Sequence, residues 1–310
     1  MLLGLDYGGT KIEGVVLDAE GAERARARVP TPRFDYEGGI RSIAALLGQL
    51  ESEAGGRIER VGIGVPGSVD RSTGRITKGN STWLNGRDLR GDLTAALDRP
   101  VRIANDANCF ALSEAVDGAG TGAPVVLGAI LGTGVGGGIV VDGQLVEGIN
   151  AVGGEWGHVP LPTPADDERP GPLCSCGVPG HCEARAGQPG LAVAGLSGPS
   201  LAADYARRKG VPVEDAPRAP DVVAMAAAGD AVAGETLRRY EDRLGRALAM
   251  IVNILDPDVI VLGGGLSNVE RLYANVPALM KPHVFGDKFN TRLVKNRHGD
   301  SSGVRGAAWL

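Results

Sequence analysis

Only 4% of the 310 residues are aromatic, only four are cysteine and only four are histidine. No uninterrupted apolar run approaches the roughly 20 residues that a membrane-spanning helix needs, so a membrane is not an expected partner. Three of the cysteines crowd together at Cys174, Cys176 and Cys182, a set too small and too clustered for a secreted disulfide framework and one that points to metal binding. Charge of one sign is also lacking. A net charge of -5 with 22% charged residues offers no basic surface to nucleic acid, so the expected partner is a small molecule. The opening MLLGLDYGG has no basic stretch before its apolar residues and meets Asp6 too soon for a signal peptide; the expectation is a soluble, cytoplasmic chain. Its length suffices for two modest cores.

Glycine, in contrast, is abundant, with 49 residues, and much of it is patterned. In LLGLDYGGTKIEGVVLD, Leu2 to Asp18, an apolar run meets Asp6, turns through Gly8, Gly9, Thr10 and Lys11, and resumes as an apolar run. That reads as strand, tight turn, strand. Glycines in such a turn let the backbone approach an anion, while Thr10 and Lys11 add a hydroxyl and a positive charge. The pattern is not a Walker A loop, which needs G-x-x-x-x-G-K-[ST] leading into a helix. An ordinary hairpin with a solvated lysine accounts for this stretch equally well when it is taken alone.

The chain then repeats the statement. Gly4, Gly8, Gly14, Val16 and Asp18 recur at one constant offset as Gly128, Gly132, Gly138, Val140 and Asp142, within VLGAILGTGVGGGIVVDG. Two similar hairpins half a chain apart imply two related halves, with the turns at Gly8 to Lys11 and at Gly132, Thr133 and Gly134 able to hold the phosphates of one nucleotide from both sides. A third cluster, Gly263, Gly264 and Gly265, follows the apolar run Val259 to Leu262. Its missing side chains would let an adenine or ribose lie flat on the backbone.

Between these turns, Ala25, Ala27 and Val29 alternate with polar residues as in a half-exposed strand, and Ile40, Ile43, Leu47 and Leu50 recur as on a helix that Gly55 and Gly56 stop. Val61 to Gly67, VGIGVPG, reads as a buried strand entering a turn. Asn80 to Gly86, NSTWLNG, could offer amides and hydroxyls to a polyol or be a surface turn anchored by Trp83. Strand Val101 to Ile103 delivers Asn105 and Asp106 to the start of a helix, where an aspartate is either an N-cap or a carboxylate placed to accept a proton. Glu155 and His158 share the polar turn GEWGH. His158 and the three clustered cysteines could form a closed tetrahedral zinc site, the alternative being free loop thiols. Ala231 to Leu255 carries the longest helical stripe until Asp256 and Pro257 break it, and Ser301 to Leu310 reads as a short final helix.

These motifs, LDYGGTK, GVPG, NDAN, LGTGVGGG, GEWGH, CxCGxxG, DPDVIVLGGG and HGDSSGVRGAAWL, resemble from end to end the ROK family (repressors, open reading frames and sugar kinases) of the actin-like sugar-kinase superfamily. NSTWLNG and SSGVRGAAWL are similar to the bacterial fructokinases of the manno(fructo)kinase type. The resemblance implies an α/β, two-domain actin-like (ribonuclease H-like) fold with a cleft between the domains. The expected first domain spans residues 1–117 with the final helix at about 300–310, and the expected second spans 118–299. It implies ATP as phosphoryl donor, bound by Asp6, Gly8, Gly9, Thr10, Lys11, Gly132, Thr133, Gly134, Gly263, Gly264 and Gly265, with Asp6 holding Mg2+ through water. Asp106 would deprotonate the sugar hydroxyl. Gly67, Asn80, Asn105, Glu155, His158 and Glu183 would contact the sugar, where each buried hydroxyl left unmatched costs about 1 to 3 kcal/mol.

The same resemblance implies a structural Zn2+ on His158, Cys174 and Cys176, but here the chain departs from the family pattern C-G-x-x-G-C-x-E. His181 stands where the family's third cysteine is expected, Cys182 follows one place on, and Glu183 keeps its place. Cys182 is taken as the fourth ligand with His181 as the alternative, and the Ala/Gly-rich stretch after Glu183 puts that residue's reach to the sugar in question. The expected reaction is D-fructose to fructose 6-phosphate in a homodimer. Glucose, mannose or N-acetylglucosamine are the alternatives, as is a non-catalytic sugar sensor. A repressor of the family would carry a DNA-reading domain ahead of the first hairpin, which here starts at residue 2.

Overall fold

The computed structural model describes every residue except 71, 78, 80 and 185–193. The chain forms two compact units, one of residues 1–123, 138–154 and 297–310, the other of residues 124–137 and 155–296. The first unit opens with the hairpin β1 (Leu2–Tyr7) and β2 (Lys11–Leu17), followed by β3 (Glu23–Pro30), α1 (Tyr36–Ala54), β4 (Arg60–Val65), the short β5 (Ser68–Val69) and β6 (Ile76–Thr77), α2 (Leu89–Leu97), β7 (Val101–Asn105) and α3 (Asp106–Val116). Its sheet has the order β3, β2, β1, β4, β7. The first three strands are antiparallel, while β1, β4 and β7 run parallel. Parallel strands covered on both faces read as near-continuous apolar runs, which is why Leu3, Leu5, Val61 and Ile63 are all buried.

Helix α1 starts where Asp35 accepts from the Gly38 N–H and stops at Gly55, whose φ of 76° gives the left-handed cap. Its buried Ile40, Ile43, Leu47 and Leu50 are the stripe read from the sequence.

The chain continues with β8 (Val125–Leu131), β9 (Val135–Val141), β10 (Gln144–Leu145), α4 (Gly198–Lys209), α5 (Ala219–Ala227), α6 (Ala231–Leu255), β11 (Val259–Gly263), α7 (Arg271–Met280), β12 (Arg292–Lys295) and α8 (Ser302–Ala308). The second five-stranded sheet has the order β10, β9, β8, β11, β12. It repeats the topology of the first: an antiparallel hairpin followed by parallel strands added on the other side. The repeat of glycine spacing is therefore a repeat of strands. Helix α6 has the predicted bounds, capped by the Asp230 side chain and broken after Leu255. Among the described residues no helix is long and apolar enough to cross a membrane.

The last segment packs within the first unit. A Cβ on Gly4 would lie 2.0 Å from the Val304 carbonyl oxygen, and one on Gly306 only 1.6 Å from that of Cys109, so α8 meets β1 and α3 backbone to backbone. Buried Glu114 fixes this seat by accepting from Ser302 Oγ (2.7 Å) and from the Arg297 N–H (3.0 Å). The sequence division after residue 117 left 138–154 with the second half; they cluster with the first unit. There Gly138 lets β9 approach α3, since a Cβ would stand 2.8 Å from Ala111 Cβ.

Candidate active site

Asp6 pairs with Gly64, Gly64 with Ala104 and Val65 with Asn105 across the parallel strands β1, β4 and β7. The carboxyl ends of three neighbouring strands thus gather Asp6, the Val65 to Gly67 turn and the Asn105–Asp106 pair at one edge, the place where open α/β sheets hold ligands. Partial burial, and after it the negative charge of Asp106, raises the Asp6 carboxyl to about 6. Two carboxylates that feel one another at a strand edge have the chemistry for an acid-base group and a cation ligand.

Asn105, not Asp106, is the N-cap of α3. Its Oδ1 accepts from the Ala107 N–H at 2.8 Å and its Nδ2 donates to the Gly67 carbonyl at 2.9 Å. Asn105 was expected on the sugar, and here its amide ties the GVPG turn to the helix start. Asp106 is the exposed first residue of α3, and its Oδ1 also accepts from the Ala107 N–H at 2.8 Å. Gly67 has φ 101°, and a Cβ would lie 2.6 Å from the Thr77 carbonyl oxygen, so no other residue fits that turn. Asn80 lies outside the described residues.

In the turn of the first hairpin, the Gly8 N–H donates to the Lys11 carbonyl (3.0 Å) and Thr31 Oγ1 donates to the Gly8 carbonyl (2.8 Å). Gly9 is half-buried and Thr10 exposed. Lys11 was expected to face a phosphate, yet its Nζ sits 2.8 Å from Glu13 Oε2. Glu13 also takes Arg26 (2.7 Å) and Arg28 (2.8 Å). Burial alone would raise its carboxyl, but the bonds from Lys11, Arg26 and Arg28 override that and hold it at about 2. This cross-strand charge cluster occupies the lysine.

In the second unit, the Gly132 N–H donates to the Gly134 carbonyl (2.9 Å), and the Gly198 N–H at the start of α4 donates to the Gly132 carbonyl (2.7 Å). Gly264, at φ 76°, presses against the same turn: a Cβ there would be 2.5 Å from the Leu131 carbonyl oxygen. Gly263 ends β11. Beside these glycines is a cavity of about 520 Å³ whose walls include Gly132, Thr133, Pro199, Ala202, Pro217, Arg218, Gly265 and Leu266. Its size is that of a small-molecule site, and its apolar walls and exposed backbone suit a flat heterocycle, with the α4 N-terminus contributing positive potential. The α4 and 213–220 walls were missed in the sequence; the Pro212, Pro217 and Pro220 run was the available signal.

The ligand atoms of His158, Cys174, Cys176 and His181 all lie within 4.8 Å of one another. His158 Nδ1 is 3.2 Å from Cys174 Sγ, and His181 Nδ1 is 3.4 Å from Cys176 Sγ. The knuckle is closed by Cys174 N–H to Val178 and Gly177 N–H to Cys174 backbone bonds, and the segment around His181 bridges to Pro160. Side chains alternate along such an extended segment. With His181 turned to the cluster, Cys182 turns away, fully buried, its thiol pushed up to about 12 by burial. The structure thus corrects the expected fourth position from Cys182 to His181. Burial, and then His158, holds the His181 imidazole below the usual histidine range, in the neutral form that binds metals.

Two imidazoles and two thiols with these separations fit a closed tetrahedral site for a borderline-soft divalent ion, in which neighbouring ligand atoms stand about 3.5 Å apart. The loop from His158 to Cys174 is held by buried Arg246, which donates to the Pro162 (2.7 Å) and Thr163 (2.9 Å) carbonyls and pairs with buried Glu168. Glu155 Oε2 stands 3.9 Å from His158 Nε2, the ring nitrogen facing away from the cluster thiols. Glu183 turns back toward the cluster, with Oε1 3.7 Å from Cys174 Sγ.

The family model described as "ROK family" matches residues 2–310. The N-acetyl-D-glucosamine kinase of Citrobacter koseri is 40% identical over 317 aligned positions, covering 100% of this chain and 99% of its own. Among solved structures, the ROK hexokinase from Thermus thermophilus superposes with a TM-score of 0.84 at 32% identity, covering 99% of this chain and 96% of that one. A ROK family glucokinase from Streptomyces griseus, solved in complex with glucose and AMPPNP, gives 0.75 at 28% identity, covering 99% and 97%.

Proposed function

Because the chain belongs to the ROK family and has the actin-like ATPase fold of its solved relatives, we propose that it is an ATP-dependent sugar kinase that phosphorylates N-acetyl-D-glucosamine at the 6-hydroxyl. The observation that carries the reaction class is the Asp6–Asp106 pair at the carboxyl edge of β1 and β7. Phosphoryl transfer asks a protein mainly for positioning and charge neutralisation. Asp106, exposed at the start of α3, accepts the proton of the attacking hydroxyl. Asp6 is the residue that would hold Mg2+ through water, and the ion would neutralise charge on the transferring phosphate. In the second unit the cavity beside Gly132 and Gly264 takes the nucleotide. Glu155 and His158 remain candidate contacts to sugar hydroxyls.

The substrate moves from the D-fructose expected of NSTWLNG to N-acetyl-D-glucosamine because full-length relatives at about 40% identity bear that name. His158, Cys174, Cys176 and His181 would hold a zinc ion whose role is to fix the knuckle. An ADP-release assay with N-acetyl-D-glucosamine, glucose, mannose and fructose tests the reading. The expected result is a kcat/KM for N-acetyl-D-glucosamine at least about tenfold above the others, which corresponds to 1.4 kcal/mol of preferential transition-state binding. Preference for fructose overturns the substrate, and no ADP from any of them overturns the kinase.

A further inference from the structure

The two asparagines of NDAN differ in what their amides do. Both amide atoms of Asn105 are engaged, one with the Ala107 N–H and one with the Gly67 carbonyl. Asn108, in the first turn of α3, is only 9% exposed, and its Oδ1 is buried with no hydrogen-bond partner among the described residues. Strand β9 presses on it, since a Cβ on Gly138 would lie 2.9 Å from Asn108 Cα. A buried amide oxygen left unmatched carries a desolvation cost that a donor removes.

Asn108 lines a small pocket of the first unit, together with Ser68 and Val69 of β5, Ala104 and Asn105 at the end of β7, and Glu147 and Ala151. Ser68 follows Gly67 and Asn105 precedes Asp106, so the pocket lies beside the place proposed for the sugar. Its volume, about 20 Å³, is that of one water- or methyl-sized group. A whole sugar ring is excluded, but a single substituent is not. The walls decide which substituent fits. Val69, Ala104 and Ala151 offer methyl surface, and Asn108 Oδ1 offers an acceptor. A hydroxyl satisfies the acceptor and leaves a polar group against the methyl walls. An acetamido group brings a donor N–H and one methyl together.

We propose that Asn108 is a specificity-determining residue: its Oδ1 accepts from the acetamido N–H of a 2-acetamido sugar, while Val69, Ala104 and Ala151 enclose the acetyl methyl. The proposal rests on the sugar site proposed above and names the chemical feature by which that site tells its substrate from an unsubstituted hexose. A site with few polar groups, each placed against one atom of the ligand, sets orientation as well as choice.

The test is calorimetric binding, without nucleotide, of glucose, N-acetyl-D-glucosamine and N-propionyl-D-glucosamine to the parent and to Asn108→Ala. In the parent the N-acetyl sugar is expected to bind at least about tenfold tighter than glucose. The N-propionyl sugar, one methylene longer, is expected to bind about 10- to 200-fold more weakly than N-acetyl. Asn108→Ala removes the acceptor and widens the pocket. Its N-acetyl affinity falls about tenfold, and its penalty for the longer acyl group shrinks below about threefold. General damage to the fold weakens all three ligands alike and does not change that ratio. If Asn108→Ala does not fold, the parent's acetyl-to-propionyl ratio decides alone. A parent that binds both acyl sugars within about threefold, or a variant with the parent's preferences, as a pocket filled by a structural water gives, overturns the assignment. ADP release on the same sugars and fructose keeps the readings apart. The expected binding order with no ADP from any sugar overturns the kinase and leaves the pocket. Phosphorylation of N-acetyl-D-glucosamine with no penalty for the longer acyl group overturns the pocket and leaves the kinase. A parent that takes glucose or fructose and does not bind N-acetyl-D-glucosamine overturns the pocket together with the substrate.

Discussion

Asp106→Asn is expected to lower kcat by about 10²- to 10⁴-fold, the usual contribution of a positioned general base, while sugar and nucleotide affinity stay within a few fold. The asparagine keeps the shape of the side chain, and the α3 cap belongs to Asn105, so the helix start survives the change. Steady-state kinetics and calorimetric sugar binding on the variant check both halves; turnover at the parent rate removes Asp106 from the mechanism. The same variant carries a pH signature. Burial first and the Asp106 charge second raise Asp6 to about 6, so Mg2+ binding should fail as pH falls through that value, when the carboxyl becomes neutral. Removing the charge of Asp106 lowers the Asp6 value, and the half-point for Mg2+ binding should move to lower pH. For folding the sign is opposite to that of a paired carboxylate: stability contributed by neutral Asp6 is lost as pH rises from 3.8 through about 6.

His181→Ala is expected to weaken zinc binding by at least about 100-fold, exceeding the effect of losing an outer partner, and to lower the melting temperature of the loaded protein. Cys182→Ser should keep its zinc. Its Sγ lies outside the ligand group and in full burial, so its cost is that of a hydroxyl placed among apolar neighbours. Metal analysis of the two purified variants separates the roles. Zinc lost from Cys182→Ser and retained by His181→Ala would restore the assignment first expected from the sequence.

That assignment shows where sequence reading stopped. The strands, glycine turns and long stripe of α6 were legible because each is a local pattern, and the shared offset of Gly4, Gly8 and Gly14 with Gly128, Gly132 and Gly138 carried the duplicated sheet. The choice between His181 and Cys182 was not local. It depends on the phase of an extended segment bridged to Pro160, which no spacing rule supplies. Lys11 looked free because its partner Glu13 lies on the same strand face and draws Arg26 and Arg28 from β3, a pairing fixed only once the register of β2 and β3 is known. Asp106 was ambiguous between cap and base; in the fold Asn105 is the N-cap, and both side chains accept from the Ala107 N–H. Apart from Arg218, the walls of the proposed nucleotide cavity from α4 and residues 213–220 are small apolar residues and prolines, whose one cue in the sequence is the run of Pro212, Pro217 and Pro220.

The most direct measurement is a crystal structure with N-acetyl-D-glucosamine and a non-hydrolysable ATP analogue bound. The sugar 6-hydroxyl is expected within about 3.2 Å of an Asp106 carboxylate oxygen and the nucleotide's base in the cavity beside Gly265 and Leu266. A sugar seated away from Asp106, or a nucleotide bound elsewhere than at the Gly132 turn, contradicts it.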